Sequence, residues 1–250
     1  MKVALILLDN AISREGDFAD QGKELLIKSG FTADDCIKFD YFANGILPDY
    51  KEFNLLYLTG SRKDSWRDDE FNHKLMEYIR DLWEYNKGVD KNSQVKIVAV
   101  CFGHQIVSRA LGFEVGVNEL GWEIGPTLVH VSPEEKNKVK AKGFDIDHYV
   151  ISMIHQDIVL PSKSSGGLWQ EVEIFGSTDK CSIQSLYHSW LLSFQGHPEF
   201  SNEINKELVI RNHQNKIISD NLFNDAHDRC INLQQEGSTK LAAWISNFAL

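Results

Sequence analysis

The stretch 95–112, V-K-I-V-A-V-C-F-G-H-Q-I-V-S-R-A-L-G, constrains the fold more than any other. Val95 to Val100 is apolar and β-branched apart from one lysine, the composition of a buried strand. Phe102, Ile106, Val107 and Ala110 recur near helical spacing, and Gly112 is a natural stop, which predicts a helix over 102–111. Between the two stands Cys101, with the small residues Ala99 and Gly103 two positions to either side. A strand that turns within one residue into a helix crowds its own backbone. Small flanking side chains relieve that crowding, and the residue at the apex is thrust outward as a nucleophile elbow. The helix dipole there favours a thiolate, the reactive form of cysteine.

The elbow sits in a chain whose first half alternates strands and helices. Val3 to Leu8 is a continuous apolar run, as expected of a strand covered on both faces. A helix is expected over about Asp17 to Ser29, a strand over Cys36 to Phe42, a third strand over Phe53 to Leu58, and a long helix over Asp68 to Tyr85. That order predicts an α/β fold with a doubly wound, mostly parallel sheet and flanking helices. From Glu114 to Gln195 the pattern breaks into short β-rich pieces (Thr127 to Val131, Val172 to Phe175, Ile183 to Tyr187, Leu191 to Phe194) and reads as a small antiparallel extension. Helices are expected over about 201–217, 220–235 and 238–248, and Ser162 to Gly167 reads as a mobile surface loop. The absence of a linker or repeat favours a single domain over 1–250, with a core over 3–200 and a helical layer over 201–250.

Composition limits the function classes. Hydrophobic residues make up 42% and charged residues 25%, the balance of an ordinary globular protein. A formal net charge of -10 argues against a non-specific nucleic-acid binder. The four cysteines, Cys36, Cys101, Cys181 and Cys230, form no C-x-x-C pair, so a reducing compartment, cytoplasmic or also nuclear, is expected. The N-terminal M-K-V-A-L-I-L-L-D reads as a first core strand and not as a signal peptide, and no apolar run is long enough for a membrane span. There is no H-E-x-x-H and no G-x-x-x-x-G-K-[ST], so neither a metal nor a cofactor is expected.

Two further stretches bear on Cys101. F-Q-G-H-P-E-F (194–200) places His197 after a strand and a glycine, with Glu199 two residues on. In an extended segment those two side chains point the same way, so the carboxylate can orient the imidazole. A thiol, a base and an orienting acid make a nucleophilic triad. The bland alternative is that His197 caps a strand and Glu199 caps the next helix. L-T-G-S (58–61) ends the third strand, and Gly60 can turn its amide toward a site, as can Phe102, the residue after the nucleophile.

Together these stretches resemble class I glutamine amidotransferases, above all stand-alone proteins similar to the glutaminase domain of GMP synthase. That family reads L-x-G-S, then G-[IVL]-C-[FYL]-G-x-Q, then G-H-P-E. Here they stand as L-T-G-S (58–61), A-V-C-F-G-H-Q (99–105) and G-H-P-E (196–199), in the same order. M-I-H-Q-D-I-V (153–159) looks like the family's S-H-x-D-x-V pocket segment. The resemblance implies a flavodoxin-like fold. It implies that Cys101 attacks a γ-glutamyl carbonyl, His197 moves the proton and Glu199 orients His197. Gly60 and Phe102 amides would hold the oxyanion, and Gln105, His155, Gln156 and Asp157 would line the substrate pocket. Beside that, Gln105 could be a plain helix-surface amide and His155 a satisfied strand-end histidine. The sequence departs from the family at Ala99, where relatives carry glycine, and at Gln156, where a small residue is common.

A complete GMP synthase also carries S-G-G-x-D-S in a second catalytic domain. The nearest text here, S-S-G-G-L-W (164–169), lacks the Asp and Ser. The leading expectation is therefore a free-standing cysteine hydrolase of glutamine amide or γ-glutamyl bonds. The alternatives are a glutaminase subunit feeding ammonia to a separate synthase chain, with the helical tail as its interface, and a non-catalytic binding relative. Neither nucleic acid nor membrane is an expected partner.

Overall fold

The computed structural model describes residues 1–10, 16–140, 142–162, 167–233 and 237–250; most of the Ser162 to Gly167 loop lies outside them. Among the described residues a seven-stranded sheet runs in the order β2-β1-β3-β4-β11-β10-β9. Its strands are β1 (Val3–Leu7), β2 (Cys36–Asp40), β3 (Leu55–Leu58), β4 (Lys96–Val100), β9 (Glu173–Phe175), β10 (Ser185–His188) and β11 (Leu191–Phe194). The pairs from β2 to β11 are parallel, and β11-β10 and β10-β9 are antiparallel. Two antiparallel pairs stand apart: β5 (Glu114–Val117) with β8 (Asp157–Leu160), and β6 (Glu123–His130) with β7 (His148–His155).

Helices cover both faces of the large sheet, which explains the unbroken apolar runs. Val3, Leu5 and Leu7 face one core with α1 (Phe18–Lys28) and α8 (Gly237–Ala249), while Ala4, Ile6 and Leu8 face the other with α3 (Glu70–Gly88) and α4 (Phe102–Leu111). Side-chain alternation along each strand sends successive residues to opposite cores. The helix starts follow local chemistry: Asp17 accepts the Ala19 and Asp20 amides at 2.9 and 3.0 Å, and Asp69 accepts that of Asn72 at 2.9 Å. Gly112, at φ 101°, ends α4 in the left-handed conformation. Leu241, Ala242, Trp244, Ile245 and Phe248 are all buried, so this face of α8 is a packing layer and not an open interface.

Two expectations need correction, and one helix was not foreseen. The second strand stops at Asp40, whose carboxylate accepts the Ala43 amide and starts a single helical turn, α2 (Tyr41–Asn44). Leu191 to Phe194 is no part of an antiparallel extension: as β11 it pairs in parallel with β4 at the centre of the sheet. Its hairpin with β10 supplies the antiparallel neighbour and leaves its other edge for β4. The helix α5 (Pro133–Lys140) escaped the sequence reading because it buries only Val139 and so has no apolar stripe. The remaining helices are α6 (Asn202–Gln214) and α7 (Asp220–Asn232), packed on each other and on β6 around Ile124, Val209, Ala226 and Cys230. Among the described residues no helix is long and apolar enough to cross a membrane.

Candidate active site

Cys101 joins β4 to α4 with φ 49° and ψ -108°, a backbone conformation that costs free energy for a residue with a side chain. The surrounding packing holds it there. The Cys101 amide donates to Phe194 O on β11 (2.8 Å), and the Gly103 amide donates to Thr59 O at the end of β3 (3.1 Å). A Cβ at Gly103 would sit 2.5 Å from Leu58 O, so only glycine permits the helix to start this close to the sheet. Phe102, the first helical residue, has no intrahelical acceptor for its amide, while its ring is buried in the core below.

His197 approaches from the end of the neighbouring strand. Its amide donates to Ser152 O on β7 (2.7 Å), and a Cβ at Gly196 would meet the same oxygen at 2.8 Å. The glycine of G-H-P-E thus lets β7 close on this segment. The ring stacks on Phe200 at 4.1 Å between centroids with 3° between planes, and Phe18 lies beyond at 5.9 Å. His197 Nδ1 lies 2.8 Å from Glu199 Oε1, with both side chains at most 1% exposed. Burial by itself opposes protonation of His197, but the Glu199 carboxylate and the Cys101 sulfur beside it outweigh burial and raise its pKa to about 10. A Cβ at Gly60 would lie 2.7 Å from His197 Cε1, so the L-T-G-S turn passes directly against the imidazole.

These groups open on a cleft of about 570 Å³ whose lining includes Cys101, Gln105, His155, Gln156, Asp157 and His197. Gln105 is no surface amide: its Nε2 donates to Asp157 O at 2.8 Å, and its Oε1 accepts the Ser65 hydroxyl at 2.8 Å. Burial and the nearby Asp64 carboxylate push the Asp157 carboxyl up. His104, on α4 beside Cys101 in sequence, is buried against Ser193 (2.8 Å). Burial, assisted by His155, lowers its pKa to about 3, so it stays neutral.

The family profile described as glutamine amidotransferase class-I matches residues 77–217, more than half of the chain. The chain belongs to the class I glutamine amidotransferase family. A glutamine amidotransferase-like protein of Schizosaccharomyces pombe is 33% identical over 162 residues, 64% of this chain and 58% of that relative, so less than two thirds of its length is spanned. Gamma-glutamyl peptidase 2 of Arabidopsis thaliana is 29% identical over 182 residues, 72% of this chain and 67% of the relative. A glutamine amidotransferase of Thermotoga maritima shares the fold, with a TM-score of 0.68 over 99% of this chain and 98% of that one at 14% identity.

Within this glutamine amidotransferase fold, Glu199 is the partner of His197 Nδ1, Gly60 passes against the imidazole, and Phe102 starts α4 next to Cys101. The sequence reading missed two buried acids at the site. Asp9, at the end of β1, accepts the Arg62 amide (2.7 Å), Arg62 Nε (2.8 Å) and Arg62 Nη2 (2.8 Å), tying down the turn that carries Gly60 and Ser61. Glu123 lies across from His155 on β6. Neither belongs to a local motif; the one available signal was an acid in apolar surroundings, D after V-A-L-I-L-L and E between W and I. The outer wall of the cleft, with Leu208, Arg211, Asn212, Asn215 and Ile217 from the α6 region, was also outside the motif reading.

Proposed function

We propose that the chain is a free-standing cysteine hydrolase that cleaves γ-glutamyl C–N bonds through a Cys101–His197–Glu199 triad. The observation that carries this reading is the buried 2.8 Å contact between His197 Nδ1 and Glu199 Oε1, beside a cysteine held at a strained strand-to-helix elbow. Glu199 fixes the ring so that Nε2 serves as the working nitrogen. The Cys101 sulfur adds to the γ-carbonyl carbon, and its proton resides on His197. The Gly60 and Phe102 amides hold the developing oxyanion. Collapse expels the nitrogen, which takes the proton from His197 and leaves a γ-glutamyl thioester. Water, deprotonated by His197, then adds to the thioester and releases glutamate and the free thiol. A histidine whose pKa is raised to about 10 carries the proton that the leaving nitrogen needs.

Gln105, His155, Gln156 and Asp157 form the pocket wall for the γ-glutamyl group in this reading. The similarity to an Arabidopsis γ-glutamyl peptidase supports a peptide or amine leaving group over ammonia alone. We further propose that residues 1–250 act as one domain, since α8 completes the core beneath β1 and β4.

The test is intact-protein mass after exposure to a glutamine-like chloroketone, followed by glutamate release from γ-glutamyl dipeptides and from glutamine. One adduct, absent in Cys101→Ala, with turnover of dipeptides by the isolated chain, is expected. An adduct without turnover of either substrate would replace this reading with a glutaminase subunit that waits for a synthase partner. Full activity in Cys101→Ala would remove the triad altogether.

A further inference from the structure

Glu123 and His155 are cross-strand partners on β6 and β7, with side chains only 5% and 2% exposed. Opposed positions on one sheet face bring side chains within direct reach. His155 Nε2 lies 3.3 Å from Glu123 Oε2. The other ring nitrogen, Nδ1, lies 3.1 Å from Asp157 O. A carbonyl oxygen only accepts, so Nδ1 carries a proton. A carboxylate also only accepts, so an ionised Glu123 at this distance favours a proton on Nε2 as well.

The surroundings of Glu123 favour its ionised form. Thr178 Oγ1 donates to Oε1 at 2.6 Å, and Gln184 Nε2 donates to Oε2 at 3.1 Å. The Thr178 hydroxyl meanwhile accepts the Cys181 amide at 3.1 Å, which leaves its proton for Glu123. Burial works against the charge, but these donors and His155 outweigh it and hold the carboxyl below its usual range. The other titratable groups facing His155 are Asp157 from β8 and His104 from α4; burial pushes the first up and the second down, both toward their neutral forms.

We propose that Glu123 and His155 are a buried carboxylate–imidazolium pair that positions the Gln156–Asp157 turn on the wall of the substrate cleft. The pair rests on the hydrolase reading for its purpose, though not for its existence. His155 and Gln105 both donate to Asp157 O, so the charged ring and the first turn of α4 grip the same carbonyl. Gln105 lies one helical turn from Cys101, which ties the distance between nucleophile and turn to this shared oxygen. The Asn118 amide holds Gln156 O from the far side at 2.8 Å. Glu123 itself touches no substrate in this scheme and acts only through His155. Breaking a buried pair from one side leaves the other charge uncompensated, so a neutral residue at 123 releases the proton on Nε2, and the bond from Nδ1 to Asp157 O weakens as it loses its charge assistance.

The test is a two-bond proton–nitrogen correlation spectrum of the full chain carrying 15N-labelled histidine, over about pH 6 to 8 where an ordinary histidine titrates. In the wild type, both His155 nitrogens are expected to carry protons. In Glu123→Gln, where Gln184 can turn its amide to accept, His155 is expected in the neutral form with its proton on Nδ1. The KM for a γ-glutamyl dipeptide should then rise roughly tenfold, with kcat within about twofold. Glu123→Asp should keep both protons and recover part of the KM. A wild-type His155 with one protonated nitrogen, or an unchanged KM in Glu123→Gln, overturns the proposal. Should Glu123→Gln not fold, the wild-type and Glu123→Asp spectra still decide it. Failure of wild-type Cys101 to react with a chloroketone would instead sink the hydrolase reading and leave the ion pair to be judged on the nitrogen shifts alone.

Discussion

At Gly60 the missing side chain sets how closely the L-T-G-S turn approaches His197. Adding one methyl group would place it 2.7 Å from His197 Cε1 and 3.0 Å from Phe18 Cε1. Gly60→Ala is therefore expected to displace the imidazole. A misplacement near 1 Å costs on the order of a hundredfold in rate. Steady-state kinetics on a γ-glutamyl dipeptide would check this; a kcat within a few-fold of wild type would mean that His197 does not need this approach. The same scale explains what could be read from the chain directly. Cys101, His197 and Glu199 were legible because their neighbours, Gly103, Gly196 and Pro198, carry local geometric constraints. Glu123 and Asp9 were not, because their partners lie far away in the chain and no local spacing encodes them.

Among the elements, β1 and β3 meet at a site that neither strand defines alone. Asp9 leaves the end of β1 and takes three hydrogen bonds from Arg62, just beyond β3. Burial alone would raise the Asp9 pKa, but the bonds from Arg62 prevail and hold it below its ordinary value. A carboxylate with a lowered folded pKa adds stability that is present above its unfolded value and lost as pH falls through the folded value. Asp9→Asn is expected to destabilise the protein by about 1–3 kcal/mol near neutrality. The gap to wild type should narrow once the pH falls below about 4. Urea midpoints for both proteins from neutral to acid pH would measure it, and a gap that stayed constant into acid would assign the effect to something other than the ion pair. Element boundaries were legible where caps and glycines mark them, as at Asp17 and Gly112; the long helix expected from Asp68 is capped one residue later, at Asp69. They were not at Tyr41–Asn44 or Pro133–Lys140, where one turn or a nearly all-polar helix gives no period to detect.

Across the whole molecule, the cleft is shared between the sheet and a helical pair added late in the chain. Arg229 on α7 joins the two: its guanidinium donates to Ile124 O (2.8 Å), Thr127 Oγ1 (3.0 Å) and Pro126 O on β6. Because α6 rests on α7 and lines the cleft, loosening α7 should be felt at the substrate wall. Arg229→Ala is expected to speed amide exchange in α6 and α7 by roughly tenfold or more while the seven-stranded sheet stays protected. Uniform acceleration across the chain would mean that this layer unfolds only with the rest.

The alternation of strands and helices, the doubly wound sheet and the elbow at Cys101 follow from the sequence by itself. Each depends on side-chain period, on glycine placement or on residues within a few positions of one another. Three matters were decided only by the tertiary structure: the central place of Leu191 to Phe194, the pairing of Glu123 with His155, and the α6 wall of the cleft. These are contacts between residues far apart in the chain. Burial, strand register and shared hydrogen-bond acceptors select them, and those quantities come into being only when the chain is folded.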